Sequence, residues 1–419
     1  MINYNYKKGN LIFDDLNIKN ITKEVETPFY CYSLNYLKDQ YSSLVNSIKL
    51  KDYEICYAIK SNSNQSIIKN FANMGSGADV VSIGEMKRAL KANIPPNKIV
   101  FSGVGKNSNE IKFALENDIL MFNVESVSEL KKISNEALLQ SKKAPIAFRI
   151  NPDISAGENE KISTGKAQDK FGIGWKDSYE VYEYASTLPG IEIRGIDAHI
   201  GSQINQLEPF SHSFDKLKEI STMLKDKGHK IDIIDVGGGL GVKYKKNESS
   251  IDVKKYGKLL SEKLGKLDCK VIIEPGRFLT ANAGILVTKI LHIKKSDIKN
   301  FVIVDAGMND FIRPTLYGAH HNIMPLNEPK KIETLKCDIV GPVCETGDFF
   351  AKDIELKDIN EDDFLAICST GAYGSVQSSN YNTRASIDEL LINNGEYEII
   401  RKRINEDTII SRDIISKWI

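Results

Sequence analysis

Lys60 is the first side chain whose position suggests a chemical role, because it ends a short apolar run, YAIK, over residues 57–60. A lysine at the end of a strand, partly removed from water, can lose its proton and form a Schiff base with a carbonyl compound. A solvated lysine at the same place would leave the same pattern. The tetrapeptide therefore indicates a candidate nucleophile, and other residues have to decide its role.

A run of glycines, GGGLG over residues 237–241, directly follows another apolar run. Closely spaced glycines allow backbone N–H groups to converge on a phosphate and form an anion-binding nest. A dinucleotide-binding fingerprint is the rival interpretation, but no glycine stands at the final position of GxGxxG, and no apolar helix follows. A simple tight turn is the third alternative.

Polar side chains end three further runs. Glu274 and Arg277 stand together in EPGR. A carboxylate can hold a pyridine nitrogen protonated, and an arginine can bind phosphate or carboxylate, although the two could also form an ordinary ion pair. His199 could be a packed histidine at a strand end, but Ser202 and the glycine before it favour a contact with a cofactor. Asp79 lies in the third of these runs, Ala78–Ser82, and we expect it near the C-terminal end of a strand.

Further along the chain, Cys344 and Glu345 lie in GPVCETGD, a strand-to-loop segment that sets a thiol beside carboxylates. A lone cysteine is most often part of the packing. Arg313 and Tyr317 stand four residues apart around a proline, and Tyr373 lies in GAYG; spacing alone assigns them no function. The sequence contains no HExxH motif and no Cys/His cluster, so it predicts no metal site.

These side chains need a scaffold that brings strand ends together, and the chain from about residue 50 to 277 predicts one. Short apolar runs alternate with amphipathic stretches, and Ser126 with Glu129 predicts a capping box at the start of one helix. Eight strand–helix units are typical of a TIM-type (β/α)8 barrel, whose reactive groups lie at the C-terminal strand ends. A doubly wound open sheet is the alternative, because periodicity does not show closure. The runs are Tyr53–Lys60, Ala78–Ser82, Ile99–Gly103, Leu120–Glu125, Ile146–Ile150, Gly195–Gly201, Ile231–Gly239 and Val271–Arg277.

After residue 277 the strand-like runs are separated by turns, which predicts a C-terminal mainly-β domain of barrel or sandwich type, with a meander as one arrangement. We expect residues 1–35 to form a strand segment that packs with this domain, residues 36–277 to form the barrel, and residues 278–419 to form the β domain. The C-terminal runs are Gly284–Ile293, Phe301–Asp305, Lys336–Val340 and Phe364–Cys368.

Composition narrows the class of protein. The 56 basic residues balance 56 acidic ones, so no net charge attracts nucleic acid or an anionic membrane. We find no apolar run of membrane-spanning length and no signal-peptide core after the N-terminus. The six cysteines are scattered without a CxxC pair, which is typical of reduced thiols. We therefore expect a cytoplasmic protein with no nucleic-acid or membrane partner.

Seven short motifs, in order, resemble the diaminopimelate decarboxylase family, which belongs to the alanine-racemase-like class of pyridoxal phosphate (PLP) enzymes. The resemblance is nearly full length, from TPFY at 27–30 to YN at 381–382. Any one motif could arise by chance, whereas seven in the family's order are specific. They are YAIK, HIGSQ, GGGLG, EPGR, RPTLYGAHH, GPVCETGD and GAYG.

The resemblance implies PLP as cofactor and assigns catalytic roles. Lys60 would carry the cofactor covalently, His199 would stack on its pyridine ring, and Cys344 would donate a proton to the reacting carbon. Glu274 would pair with the ring nitrogen. The full set of implied cofactor contacts is Lys60, Asp79, His199, Ser202, Gly238, Gly239, Glu274, Gly276, Arg277 and Tyr373.

The implied reaction is the decarboxylation of meso-diaminopimelate to L-lysine, the last step of lysine biosynthesis. Cys344 and Glu345 would come from a neighbouring subunit, so the implied partner is a second copy in a homodimer with shared active sites. Arg277, Arg313 and Tyr317 would hold the substrate's distal carboxylate. The implied substrate contacts are Arg277, Arg313, Tyr317, Glu345 and Tyr373.

Related families are the alternatives. Alanine racemases carry an arginine at the ring nitrogen, where this chain has Glu274. Ornithine- and arginine-type decarboxylases usually have aspartate in place of Glu345 and lack the clamp of Arg313 and Tyr317; carboxynorspermidine decarboxylase resembles the chain less. A non-catalytic binding protein of this fold would be expected to lack Lys60 or the motif cysteine, and both are present.

One segment departs from the family pattern. The frame of residues 151–174 is kept, but residues 158–161, ENEK, are more charged than in many members. The resemblance implies that this region is a mobile cover, so the departure concerns the details of a lid and not the chemistry.

Overall fold

The computed structural model describes residues 4–154, 170–245, 247–330 and 332–419. The charged stretch 158–161 lies outside these residues. The chain divides into two compact units. The barrel unit comprises Gln40–Val242 and Ser249–Phe278, and the β unit comprises Met1–Asp39, Lys243–Glu248 and Leu279–Ile419. The boundaries expected from sequence, 1–35, 36–277 and 278–419, stay a prediction.

Strands and helices are numbered in chain order. The strands are β1 (Tyr4–Lys7), β2 (Asn10–Phe13), β3 (Leu16–Asn17), β4 (Phe29–Ser33), β5 (Tyr53–Ala58), β6 (Gly77–Val80), β7 (Ile99–Phe101), β8 (Met121–Val124), β9 (Ala144–Asn151), β10 (Ile173–Gly174), β11 (Ile191–Asp197), β12 (Ile233–Asp235), β13 (Lys270–Ile273), β14 (Gly284–Lys294), β15 (Asn300–Val304), β16 (Ile323–Pro325), β17 (Thr334–Val340), β18 (Phe349–Lys357), β19 (Phe364–Cys368), β20 (Asp388–Asn393) and β21 (Glu396–Arg401). The helices are α1 (Ile18–Ile21), α2 (Leu34–Ser47), α3 (Gln65–Asn73), α4 (Ile83–Lys91), α5 (Ser108–Glu116), α6 (Val127–Leu139), α7 (Ser178–Ser186), α8 (Glu208–Asp226), α9 (Val253–Leu264), α10 (Arg277–Thr280), α11 (Arg313–Tyr317) and α12 (Glu406–Ile410).

The barrel unit contains a closed parallel barrel. Its strands are hydrogen-bonded in the order β9-β11-β12-β13-β5-β6-β7-β8, and β8 pairs with β9 to complete the circle. Each of the eight predicted runs overlaps one of these strands. The TIM-type barrel is therefore confirmed, and the doubly wound open sheet is wrong. No helix in the described part of the chain is long and apolar enough to span a bilayer.

An apolar layer fills the barrel interior, with one buried side chain from each of six strands. Because side chains alternate along a strand, the residue two positions further on faces the same interior, one step closer to the C-terminal strand ends. For five of the six strands, that next residue, within the strand or directly after it, is polar and buried. The apolar layer is Cys56, Val100, Met121, Ala147, Ile233 and Ile272. The polar layer above it is Ser102, Asn123, Arg149, Asp235 and Glu274.

The β unit is built on a mixed sheet in the order β18-β17-β15-β14-β4-β20-β21, with β19 pairing β14 and β16. The mainly-β C-terminal region is confirmed, and each predicted run overlaps a strand. A simple meander is wrong, because β15 runs parallel to β17 and β4 runs parallel to β20. The N-terminal strand β4 lies between β14 and β20, and its residues are all buried.

The start of α6 differs from the predicted capping box. The Ser126 side chain accepts the N–H of Glu129, as expected. However, the Glu129 carboxylate does not return to the Ser126 N–H, as a reciprocal box requires. It accepts the N–H of Glu125 at 2.9 Å and the ammonium of Lys106 at 2.7 Å. This buried cation also donates to the carbonyls of Gly103 and Asn123 and lies 5.5 Å from the ring centroid of Phe101, and the Glu129 carboxylate is its acidic partner.

The buried pair of Lys106 and Glu129 gives a stability prediction. Their side chains are 1% and 7% exposed, whereas those of the surface pair Lys112 and Glu116 are 59% and 51% exposed. Glu129→Ala leaves the buried ammonium of Lys106 without its acidic partner and should lower the free energy of unfolding by about 3 kcal/mol. Glu116→Ala should change it by less than about 0.5 kcal/mol. Urea denaturation followed by circular dichroism measures both, and equal effects would contradict the role given to the buried pair.

Candidate active site

Lys60 and Asp79 form an ion pair at the C-terminal ends of two adjacent barrel strands, β5 and β6. Lys60 lies in a short 3-10 turn, Ile59–Ser61, and its Nζ is 2.7 Å from Asp79 Oδ2. The lysine side chain is 36% exposed, while the aspartate is fully buried. Asp79 Oδ1 is buried too, and within the described residues it has no hydrogen-bond partner. A buried carboxylate oxygen in this state is a ready acceptor for a bound group.

The glycine loop after β12 permits a close approach of the backbone. Gly237 and Gly239 have φ values of +65° and +99°, which other residues rarely adopt. A Cβ on Gly238 would lie 2.2 Å from the carbonyl oxygen of Glu274. A side chain at position 238 is therefore excluded by the backbone after β13, and a loop of closely spaced glycines is the kind of backbone that can turn its N–H groups towards a phosphate.

His199, after β11, is held as a neutral ring. Its Nδ1 accepts the N–H of Gly238 at 3.0 Å, so that nitrogen carries a lone pair. Burial lowers the pKa of His199 well below its ordinary value, and the cations Arg149 and Lys60 lower this pKa further. An uncharged imidazole face can pack against an aromatic ring without placing a second cation beside Lys60.

Glu274 lies in the polar layer, in a network of buried groups. Ser102 Oγ is 3.5 Å from Glu274 Oε1, and Asn123 Nδ2 is 3.2 Å from both Ser102 Oγ and Asp235 Oδ2. Burial raises the pKa of Glu274 well above its ordinary value, and the carboxylates of Asp235, Asp79 and Asp197 add to the rise. Burial also raises the pKa of Asp235, to about 6. A carboxyl group in this position readily shares a proton with a basic nitrogen.

Arg277 and Gly276 complete the barrel-unit part of the site. The Arg277 guanidinium donates to Ser202 Oγ from Nε at 3.2 Å and from Nη2 at 3.0 Å. A Cβ on Gly276 would lie 3.0 Å from Ser61 Cβ, so the glycine lets the loop after β13 pack against the turn that carries Lys60. The predicted residues of the barrel unit are thus brought to the C-terminal ends of β5, β6, β11, β12 and β13.

The other predicted residues belong to the β unit. The Arg313 guanidinium carbon is 5.8 Å from the ring centroid of Tyr317, so these two are brought together. Cys344 and Glu345 lie in an exposed segment, where Glu345 accepts the hydroxyl of Tyr381. Tyr373 is held at a φ of +55°.

Several residues of these networks were missed from sequence. Ser102, Asn123 and Asp235 lie in or beside apolar strand runs, and the period of two that places them in the barrel interior is the signal that could have found them. Tyr244 contacts Arg313 from a distant part of the sequence, so no local pattern could have found it. His321 stands in RPTLYGAHH, but the motif assigned it no role, and its contact with Arg313 is visible only in the structure.

The residues present fit PLP. Lys60 is positioned to bind a carbonyl carbon, the glycine loop and Ser202 suit a phosphate, and Glu274 suits a ring nitrogen that carries a proton. Asp79 Oδ1, which has no hydrogen-bond partner in the described part of the chain, belongs to the carboxylate that pairs with Lys60.

Comparison with known proteins agrees with this fit. A family model described as "Pyridoxal-dependent decarboxylase, pyridoxal binding domain" matches residues 34–281. The diaminopimelate decarboxylase of Zymomonas mobilis subsp. mobilis is 42% identical over the whole of both chains. The structure of the Helicobacter pylori diaminopimelate decarboxylase complexed with L-lysine matches with a TM-score of 0.91 and 42% identity, covering 94% of this chain and 99% of that one.

A more distant match shows how far the similarity extends. The structure of the diaminopimelate decarboxylase from M. jannaschii in co-complex with L-lysine has a TM-score of 0.93 and 33% identity, covering 99% of this chain and 98% of that one. The chain therefore belongs to the diaminopimelate decarboxylase family of the pyridoxal-dependent decarboxylases.

Proposed function

We propose that this PLP-dependent carboxy-lyase converts meso-2,6-diaminopimelate to L-lysine and CO2, the last step of lysine biosynthesis. The observation that supports it most directly is the ion pair of Lys60 and Asp79 beside the buried Glu274, at the C-terminal strand ends of a closed barrel. A buried arginine in the β unit, Arg313, adds the group that a second carboxylate on the substrate requires.

The residues of the barrel unit carry the decarboxylation step. Lys60 would hold the cofactor through its Nζ, and Asp79 Oδ2 accepts from that ammonium when the lysine carries no cofactor. Bound PLP supplies an electron sink for the pair left behind when CO2 departs. Glu274 holds a proton between its carboxylate oxygen and the ring nitrogen, which its raised pKa favours. His199 contacts the ring as a neutral imidazole.

The glycines and polar groups around the phosphate fix the cofactor's position. Ser202, Gly238, Gly239, Gly276 and Tyr373 bind the phosphate in this proposal. Arg277 orients Ser202 through its two hydrogen bonds and contributes charge.

The residues of the β unit bind the far end of the substrate and return a proton. Arg313 and Tyr317 hold the distal carboxylate, and Glu345 contacts the substrate. Cys344 Sγ donates a proton to the carbon that lost CO2. We further propose that Cys344 and Glu345 act in the site of a second copy of the chain, within a homodimer in the cytoplasm.

The reaction is tested by following CO2 release from meso-diaminopimelate, lysine, ornithine and arginine. Only diaminopimelate should release CO2 at a substantial rate, and lysine should accumulate in equal amount. Borohydride reduction with peptide mapping should place the pyridoxyl group on Lys60. Lys91→Ala, which changes an exposed helix lysine, is the control that should react normally. Preferential release from ornithine, or a label on another lysine, would contradict the proposal.

Arg313 should decide the substrate class. A planar guanidinium can bind a carboxylate through two parallel hydrogen bonds. A site built around such a polar group of the substrate rejects analogues that lack the group by roughly 10⁴–10⁵-fold. Arg313→Ala should lower kcat/KM for diaminopimelate by about that factor and leave the visible absorbance of bound PLP intact. Arg412→Ala, at an exposed arginine, is the control. If Arg313→Ala keeps full activity, Arg277 becomes the leading candidate for the carboxylate contact.

Shared active sites predict complementation between inactive variants. Mixing Lys60→Ala with Cys344→Ala should restore up to about one quarter of wild-type activity, because half of the dimers are hybrids with one intact site. Lys60→Ala mixed with Asp79→Ala is the matched control. Both of its changes fall in the same barrel unit, so no hybrid holds an intact site. Absence of recovery with Cys344→Ala, under conditions that exchange subunits, would exclude a shared site.

A further inference from the structure

His321 is the last residue of RPTLYGAHH, and the proposed reaction gives it no role. It is buried in the β unit at 2% exposure. Its Nε2 lies 3.3 Å from Arg313 Nε, and its Nδ1 lies 2.9 Å from the carbonyl oxygen of Cys368. One imidazole therefore bridges the guanidinium of Arg313 and the backbone of β19.

The two partners fix the protonation state of this ring. A backbone carbonyl only accepts hydrogen bonds, so His321 Nδ1 must carry the hydrogen. The guanidinium of Arg313 only donates, so His321 Nε2 must carry a lone pair. The contacts are compatible only with the neutral Nδ1–H form. A second proton on Nε2 would set two donors against each other, next to a buried cation.

Packing fixes the orientation of the ring as well. Phe311 and Tyr244 meet His321 edge to face, with ring centroids at 4.7 Å and 5.1 Å and interplanar angles of 82° and 74°. The carbonyl that anchors Nδ1 belongs to Cys368, which is paired with Ile285 in the buried centre of the sheet. The guanidinium of Arg313 is thus held, through His321, at a fixed place relative to strand β19.

This contact determines which edge of Arg313 can meet a carboxylate. A guanidinium binds a carboxylate either through Nε and one Nη, or through both Nη groups. Nε of Arg313 already donates to His321, and Nη2 lies 3.4 Å from the hydroxyl of Tyr244. The guanidinium carbon is 5.3 Å from the ring centroid of Tyr244, which restricts the plane of the group. The edge formed by the two Nη groups is the one that the His321 contact does not use.

We propose that His321 is a positioning residue for the distal-carboxylate subsite: in its neutral Nδ1–H form it holds Arg313 so that the substrate carboxylate binds the Nη1/Nη2 edge. The inference rests on the proposed function, because it assumes that Arg313 binds that carboxylate. It adds a residue that touches no substrate and acts through Arg313 alone.

Two substitutions separate the two hydrogen bonds of the ring. His321→Gln extends an amide oxygen to about the place of Nε2, and so keeps an acceptor for Arg313. His321→Asn reaches only to about the place of Nδ1, and so keeps the donor to Cys368 and loses the acceptor. His320→Asn changes the exposed neighbour and is the matched control.

The readout is binding to the PLP-loaded protein, measured from the visible spectrum of the cofactor. L-Lysine keeps the distal carboxylate of the substrate, and 1,5-diaminopentane is lysine without it. His321→Asn should raise the Kd of lysine at least about tenfold and leave that of diaminopentane within about twofold. It should also raise KM for diaminopimelate more than it lowers kcat. His321→Gln should retain most of the lysine affinity, and His320→Asn should bind both amines as the wild type does.

The outcomes distinguish the inference from the proposed function. A wild-type protein that binds lysine no more tightly than diaminopentane would overturn the carboxylate subsite, and the inference with it. A wild-type preference that survives His321→Asn would overturn the inference alone. If His321→Asn does not fold, ¹⁵N-histidine NMR of the wild type decides, since the six histidines can be assigned by substitution. An Nε2–H or doubly protonated His321 would overturn the proposal, and an Nδ1–H ring would support it.

Discussion

The alternation of side chains along the closed barrel strands is the constraint on which the barrel-unit part of the site depends. Closure requires β8 to pair with β9 while β13 pairs with β5, so no strand can shift independently. A shift of one residue would turn Asn123 and Asp235 out of the interior and bring their apolar neighbours into it. The register that fills the interior with an apolar layer therefore also creates the polar layer above it. Stability and chemistry are specified by the same pairing.

The buried acidic groups of the barrel unit are an unfavourable arrangement that function explains. Asp79, Asp197, Asp235 and Glu274 are nearly fully buried, and the cations near them are Lys60 and Arg149, of which Arg149 is already paired with Glu125. Burial and mutual repulsion raise the pKa values of Glu274, Asp197 and Asp235. Carboxyl groups with raised pKa values stabilise a folded protein at low pH, and this contribution is lost as the pH rises through those values. A ligand that brings a protonated nitrogen compensates for part of this loss, which couples cofactor binding to the stability of the barrel.

Local pattern predicted much of this architecture and non-local contacts account for the rest. The strand runs were recognised because β-branched residues cluster in them, but Val271–Arg277 extends past β13, which ends at Ile273, since the apolar pattern continues into the loop. Periodicity alone could not distinguish a closed barrel from an open sheet or give the mixed strand order of the β unit, because both depend on pairings between segments far apart in sequence. Asn123 resembled an ordinary strand residue. The anchor of His321 is a backbone carbonyl, which no side-chain pattern reveals.

The N-terminal strand β4 has a consequence for synthesis of the chain on the ribosome. It ends at Ser33, whereas its neighbours β14 and β20 begin at Gly284 and Asp388. At translation rates of about 5–20 residues per second, β4 is made roughly 10–50 s before its first partner exists. During that interval the barrel segments emerge and can pair among themselves. The apolar strand β4 has neither of its partners yet, so both of its edges are open to pairing with another chain. The strand β2 and the helix α1 are already made by then, and their packing against β4 can cover one of its apolar faces during that interval.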